Sequence, residues 1–161
     1  MRKQYLDWEQ VDRLIERLLS ILPRDYNVIM AVTRGGLIPA ALLAYRGRWR
    51  LVMAAVEQPA SDLDDLFSSP TFAQFPADPL LKGQRVLVVD AVWGTAHSMM
   101  AVKTRIEQAG GYADLCVLHY RSADAWSDVR PAYVAEETDA WVVYPWEPSE
   151  ESHVEGPAAQ A

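Results

Sequence analysis

Four short apolar runs set what this chain can become: Asn27–Val32 (NVIMAV), Leu51–Glu57 (LVMAAVE), Arg85–Asp90 (RVLVVD) and Ala113–Tyr120 (ADLCVLHY). Each is too short and too continuously apolar for a surface helix, and reads as a buried strand. Helical patterns lie between them. Asp7 and Gln10 have capping-box spacing, Val11, Leu14, Ile15, Leu18 and Leu22 follow at helical intervals, and Pro23 closes the segment. Leu37–Tyr45 favours a second helix with Pro39 in its first turn, and Ala96–Ala109 a third, ended by Gly110 and Gly111. Shorter strands are expected in AYVAEE (132–137) and AWVVYP (140–145). Strands alternating with helices imply an α/β fold, an open and mainly parallel twisted sheet with helices on both faces.

In such a sheet ligands bind beyond the carboxyl ends of the strands, near the point where strand order reverses. The loops after Val32, Glu57, Val89 and His119 are therefore where function is sought. With 161 residues, half of them hydrophobic, the chain forms one domain over residues 1–147. Residues 148–161 (EPSEESHVEGPAAQA from Glu147 on) are polar and acidic, and are expected to be a disordered tail. A net charge of −7 argues against nucleic-acid or anionic-membrane partners. It leaves room for a small anion held by backbone amides. The single cysteine, Cys116, lies in an apolar strand and reads as a buried, inert thiol. The start of the chain lacks a signal-peptide pattern and no run reaches transmembrane length, so a cytoplasmic location is expected.

Two loops carry the chemistry. Thr33–Gly36 (TRGG) joins a strand to a helix, so its glycines allow close approach while amides, helix dipole and Arg34 favour an anion. A tight turn with a solvated arginine is the plain alternative. In Val86–Met99 (VLVVDAVWGTAHSM), Asp90 ends the strand and a small-residue loop follows. A strand-end carboxylate facing a ligand can accept hydrogen bonds from sugar hydroxyls, and the amides of Thr95–Ser98 can cradle a phosphate. Ordinary N-capping by Thr95 is the alternative here. Two such loops on one sheet point to a doubly phosphorylated ligand.

The segments VTRGGLIPAALLA, VLVVDAVWGTAHS and AEETDAWVVYPWE resemble the type I phosphoribosyltransferases, over residues 5–147 and especially the xanthine–guanine and hypoxanthine branch. That resemblance implies a parallel sheet with a small hood. It implies transfer of phosphoribosyl from phosphoribosyl pyrophosphate (PRPP) to a purine-like base, with pyrophosphate released and Mg2+ as cofactor. It assigns Thr33, Arg34, Gly35 and Gly36 to pyrophosphate, in a loop that in relatives often holds a non-proline cis peptide. Asp90 would bind the ribose hydroxyls, directly or through magnesium; Thr95, Ala96, His97 and Ser98 the 5′-phosphate. Arg121 stands where purine enzymes place a lysine that reads the 6-oxo group; Trp141 would stack on the base and the Val142 backbone address its edge. Residues Gln58–Lys82 match a mobile cover over the site, with Asp62, Asp64 and Asp65 solvating it. A homodimer or homotetramer is implied as well.

The match departs in two places where relatives carry acids, Ala91 beside Asp90 and Gly94 three residues on. The acid missing at Gly94 is the general base proposed for the base N7 proton; His97 is the nearest titratable replacement. Ala96, at a position where relatives have glycine, is expected to fit with a negative backbone φ. The alternative to an active enzyme is a catalytically impaired module that binds PRPP or a nucleoside monophosphate for regulation.

Overall fold

A computed structural model of the chain describes residues 2–57, 71–94, 96–121 and 129–148. Its strands are β1 (Lys3–Tyr5), β2 (Val28–Thr33), β3 (Arg50–Glu57), β4 (Thr71–Gln74), β5 (Arg85–Trp93), β6 (Tyr112–Tyr120), β7 (Tyr133–Glu137) and β8 (Trp141–Val143). The helices are α1 (Trp8–Ile21), α2 (Leu37–Gly47) and α3 (His97–Gln108). Six strands form one sheet in the order β4-β3-β2-β5-β6-β7, while β1 and β8 pair in parallel as a separate hood. Only the β3–β4 pairing in the large sheet is antiparallel. The fold is the open, mainly parallel α/β sheet expected.

Alternation along the central strands divides the core between the two faces of the sheet. Ile29, Ala31, Leu87, Val89, Cys116 and Leu118 pack under α1 and α2, joined by Val11, Leu14, Ile15, Leu18 and Leu43. Val28, Met30, Val32, Val86, Val88 and Val117 face α3, which contributes Met99, Val102 and Ile106. Each fully buried aliphatic side chain contributes about 1.5–3 kcal/mol. The capping box opens α1: the Asp7 carboxylate accepts from Gln10 N at 2.7 Å, and the Gln10 side chain accepts from Asp7 N at 2.9 Å. Burial pushes the Cys116 thiol well above its ordinary value, as an inert core residue requires.

Three expectations change. Residues Leu51–Glu57 do form a strand, but β3 is not buried: Leu51 and Met53 are 41% and 36% exposed. Only the short edge strand β4 lies beyond β3, and helices cover it thinly. Second, residues 71–82 of the expected cover are packed structure. β4 pairs with β3, Phe72 meets Phe75 edge to face at 4.9 Å, and Leu81 is fully buried against the α3 face. Residues 58–70, with Asp62, Asp64 and Asp65, lie outside the described residues, as do residues 149–161 of the expected tail. Third, β5 runs on through Ala91–Trp93, pairing Val92 with His119 and Trp93 with Tyr120. Asp90 therefore sits within a strand and not at its end. Among the described residues, no helix is long and apolar enough to cross a membrane.

Candidate functional site

Chain direction across the sheet reverses between β2 and β5, and both loops singled out from the sequence leave the sheet at this switch point. The Thr33–Arg34 peptide is cis, as the resemblance implied. Gly36 N donates to Val32 O at 2.8 Å and Leu37 N to Arg34 O at 3.1 Å, closing the turn into α2. The glycines are dictated by proximity. A Cβ on Gly35 would lie 2.6 Å from Asp90 Oδ1, and one on Gly36 would lie 2.7 Å from Val32 O and press on Val89 O. The first loop thus rests directly on the segment of β5 that carries the carboxylate.

Asp90 is half-buried, and its Oδ1 accepts from Ala91 N at 2.7 Å. Burial pushes its carboxyl up to about 7, against the smaller opposing effect of that hydrogen bond. A neighbouring cation or hydroxyl donor would favour its charged form. A cavity of about 150 Å³ lies beside it, lined by Asp90, Val92, Trp93, Gly94, Ala96 and Ser98. The Trp93 indole N–H is buried without a hydrogen-bond partner among the described residues, a donor that the sequence did not single out.

The α3 N-terminus opens this cavity. Its N-cap is Ala96, not Thr95, and Ala96 has no side-chain oxygen to bind the first-turn amides. A helix N-terminus of this kind favours an anion through its dipole and first-turn amides. Thr95 lies outside the described residues. Ala96 corrects another expectation: its φ is +64°, in the left-handed region that disfavours a side chain. The turn keeps the geometry of a glycine although the residue is alanine. His97 is exposed at the helix start.

Arg121 and Trp141 meet. The guanidinium of Arg121, 8% exposed, lies 4.9 Å from the centre of the Trp141 ring, which remains half exposed. Trp141 N donates to Arg2 O at 2.8 Å and Val143 O accepts from Leu6 N at 2.9 Å. Because successive residues of a strand turn their peptide groups to opposite sides, those of Val142 point away from β1. The sequence also left Tyr144 and His119 without a role. Tyr144 Oη lies 3.0 Å from Ala91 O and 2.7 Å from His119 Nδ1, fully inside the protein.

Among the described residues, no three metal-ligating side chains gather. Among the described residues Asp90 is the carboxylate at the switch point, which suits a magnesium ion brought with substrate phosphates and not an all-protein cage.

The profile of the phosphoribosyl transferase domain matches residues 1–153. The xanthine-guanine phosphoribosyltransferase of Chromohalobacter salexigens is 29% identical over 147 residues, covering 88% of this chain and 82% of that protein. The crystal structure of a purine phosphoribosyltransferase from Pyrococcus horikoshii is similar at a TM-score of 0.77 and 32% identity, covering 92% of this chain and 96% of that one. A Neisseria gonorrhoeae protein solved with bound ppGpp shares the fold at a TM-score of 0.77 and 22% identity, over 92% of this chain and 91% of its own.

Proposed function

The chain belongs to the phosphoribosyl transferase domain family, and from that premise we propose that it moves phosphoribosyl from PRPP to a purine base, releasing pyrophosphate. The observation that carries this reading is the seating of Thr33–Gly36 on Asp90 at the switch point, with the Arg121–Trp141 pair at the same end of the sheet. In this reading the Thr33–Gly36 turn and Arg34 hold pyrophosphate, and the His97–Ser98 amides, with Ala96 and Thr95, hold the 5′-phosphate. Asp90 accepts from the ribose hydroxyls. Trp141 stacks on the base, Arg121 donates to its 6-oxo group, and Val142 reads its edge.

Asp90 would hold magnesium together with the substrate, where the ion neutralises charge on the departing pyrophosphate. The transition state is a ribosyl oxocarbenium, and the work of the protein is alignment and charge placement. Gly94 offers no side chain to take up the base proton, so this chain relies on orientation more than on a positioned base. Self-association is part of the proposal, supported by the exposed apolar residues Tyr45, Leu51 and Met53 on α2 and β3; size-exclusion chromatography with light scattering tests it.

The deciding experiment incubates the full chain with PRPP, magnesium and guanine, xanthine or hypoxanthine, and follows pyrophosphate. Release with at least one of the three is expected. No release with any, where a purine enzyme works under the same conditions, overturns the transferase reading. Binding of GMP without release makes the chain a nucleotide-binding module.

A further inference from the structure

Ala91 stands where the resemblance places an acid, and the backbone of that residue is tied down from both sides. Ala91 N donates to Asp90 Oδ1 at 2.7 Å, and Ala91 O lies 3.0 Å from Tyr144 Oη. Beyond Tyr144, His119 Nδ1 lies 2.7 Å from the same phenolic oxygen. The direction of each bond follows from chemistry. A carbonyl only accepts, so the single phenolic proton goes to Ala91 O. His119 Nδ1 must then carry a proton and donate to Tyr144 Oη. This fixes the neutral Nδ1–H tautomer, and burial agrees by pushing the imidazole down to about 4.

The position of Tyr144 in the chain gives the chain of bonds its meaning. The residue follows β8 directly, and β8 carries Trp141 and Val142. Its ring is held by stacking on Trp146 at 4.5 Å and 8°, and Trp146 in turn packs on Trp8 at 5.8 Å. One hydroxyl therefore spans the hood and the strand that bears Asp90. The charged groups around it are Asp90, Glu136 and Glu147; Glu136 Oε1 is 4.0 Å from His119 Nε2.

We propose that Tyr144, set by His119, is a positioning residue that fixes Ala91 and the Asp90 carboxylate relative to the base-holding hood. The proposal rests on the transferase reading for its function, but its geometry is tested separately. Tyr144 touches no substrate; it sets the distance between the group that binds ribose and the group that binds base. Alignment of two substrates acts on kcat more than on either binding step.

The test compares the full chain with Tyr144→Phe, His119→Gln and His119→Leu. Tyr144→Phe keeps the ring stack and deletes only the hydroxyl. It is expected to lower kcat about 10- to 100-fold with both KM values within about threefold. His119→Gln retains an amide donor for Tyr144 and is expected to stay within about threefold of the parent, while His119→Leu falls with Tyr144→Phe. Equal kcat in Tyr144→Phe and parent, or loss in His119→Gln as large as in His119→Leu, overturns the proposal. A second readout needs no turnover. Amide exchange at Ala91 and Val92 is expected to quicken at least about tenfold in Tyr144→Phe and His119→Leu while α1 stays protected. Unchanged exchange overturns the relay whether or not the parent transfers phosphoribosyl. Absent parental turnover with quickened exchange leaves the relay standing and removes the transferase reading alone.

Discussion

Ala91 and Gly94 both stand where the resemblance places acids, but the protein treats the two positions in opposite ways. At Gly94 nothing among the described residues lies within 4 Å of an added Cβ, and the residue lines the open cavity beside Asp90. Gly94→Asp is expected to fold with stability within about 0.5 kcal/mol of the parent. If a positioned base is what the site lacks, the same variant raises purine turnover about 10- to 100-fold, read by pyrophosphate release. Ala91 is 5% exposed and packs in the core under α1 and α2. Ala91→Asp would bury a carboxylate there and is expected to lose about 2–4 kcal/mol by urea unfolding, with no rescue of turnover. Ala96 tells a third story. Left-handed backbone costs a side chain about 1–2 kcal/mol, and glycine gives back part of that in unfolded-chain entropy. Ala96→Gly is therefore expected to stabilise by about 0.5–1 kcal/mol in the same assay. The sequence showed which residues sit in this loop, but not the sign of φ at Ala96, because an alanine taken by itself favours negative φ.

At the scale of elements, what could be read depended on how local each signal was. The capping box and apolar spacing of α1 are complete within one segment, and the helix begins where they say. The runs that became β2, β5 and β6 carry buried strands because two helical layers cover them. β3 has a similar composition but lies next to the edge, and nothing in LVMAAVE reveals that position. β1 and β4, with three and four residues, owe their existence to partners distant in sequence. In the proposed function the hood is the element on which the base subsite would depend. Trp141 is half exposed and Arg121 covers one of its faces, so under the proposed function the other face would take the base. Stacking of this kind contributes about 1–3 kcal/mol. Trp141→Ala is expected to raise KM for the purine about tenfold or more and leave KM for PRPP within about twofold. Trp141→Phe, which keeps a π-face, should recover most of the loss. Parallel loss of both KM values in Trp141→Ala would place the ring outside the base subsite.

For the whole molecule, burial of titratable groups sets the response to acid. His119 is fully enclosed, with Nε2 lacking a hydrogen-bond partner among the described residues. Its folded pKa of about 4 lies below the ordinary 6.5 because burial disfavours the cation more than Glu136 favours it. The unfolded chain therefore binds a proton on His119 that the folded chain refuses between these values. Stability from this group is fully present above about pH 6.5, falls as pH drops toward about 4, and changes no further below that. Asp90 works in the other direction, since its raised pKa lets the folded state take up a proton before the unfolded chain does as pH falls. The parent curve alone mixes the two. Subtracting it from the His119→Gln curve cancels Asp90 and every other shared group. Between pH 7 and pH 4.5 that difference is expected to move about 2 kcal/mol in favour of His119→Gln, measured by urea unfolding at both values. A difference that stays flat would mean that His119 takes up its proton in place, with Glu136 or an ordered water supplying the partner that Nε2 lacks.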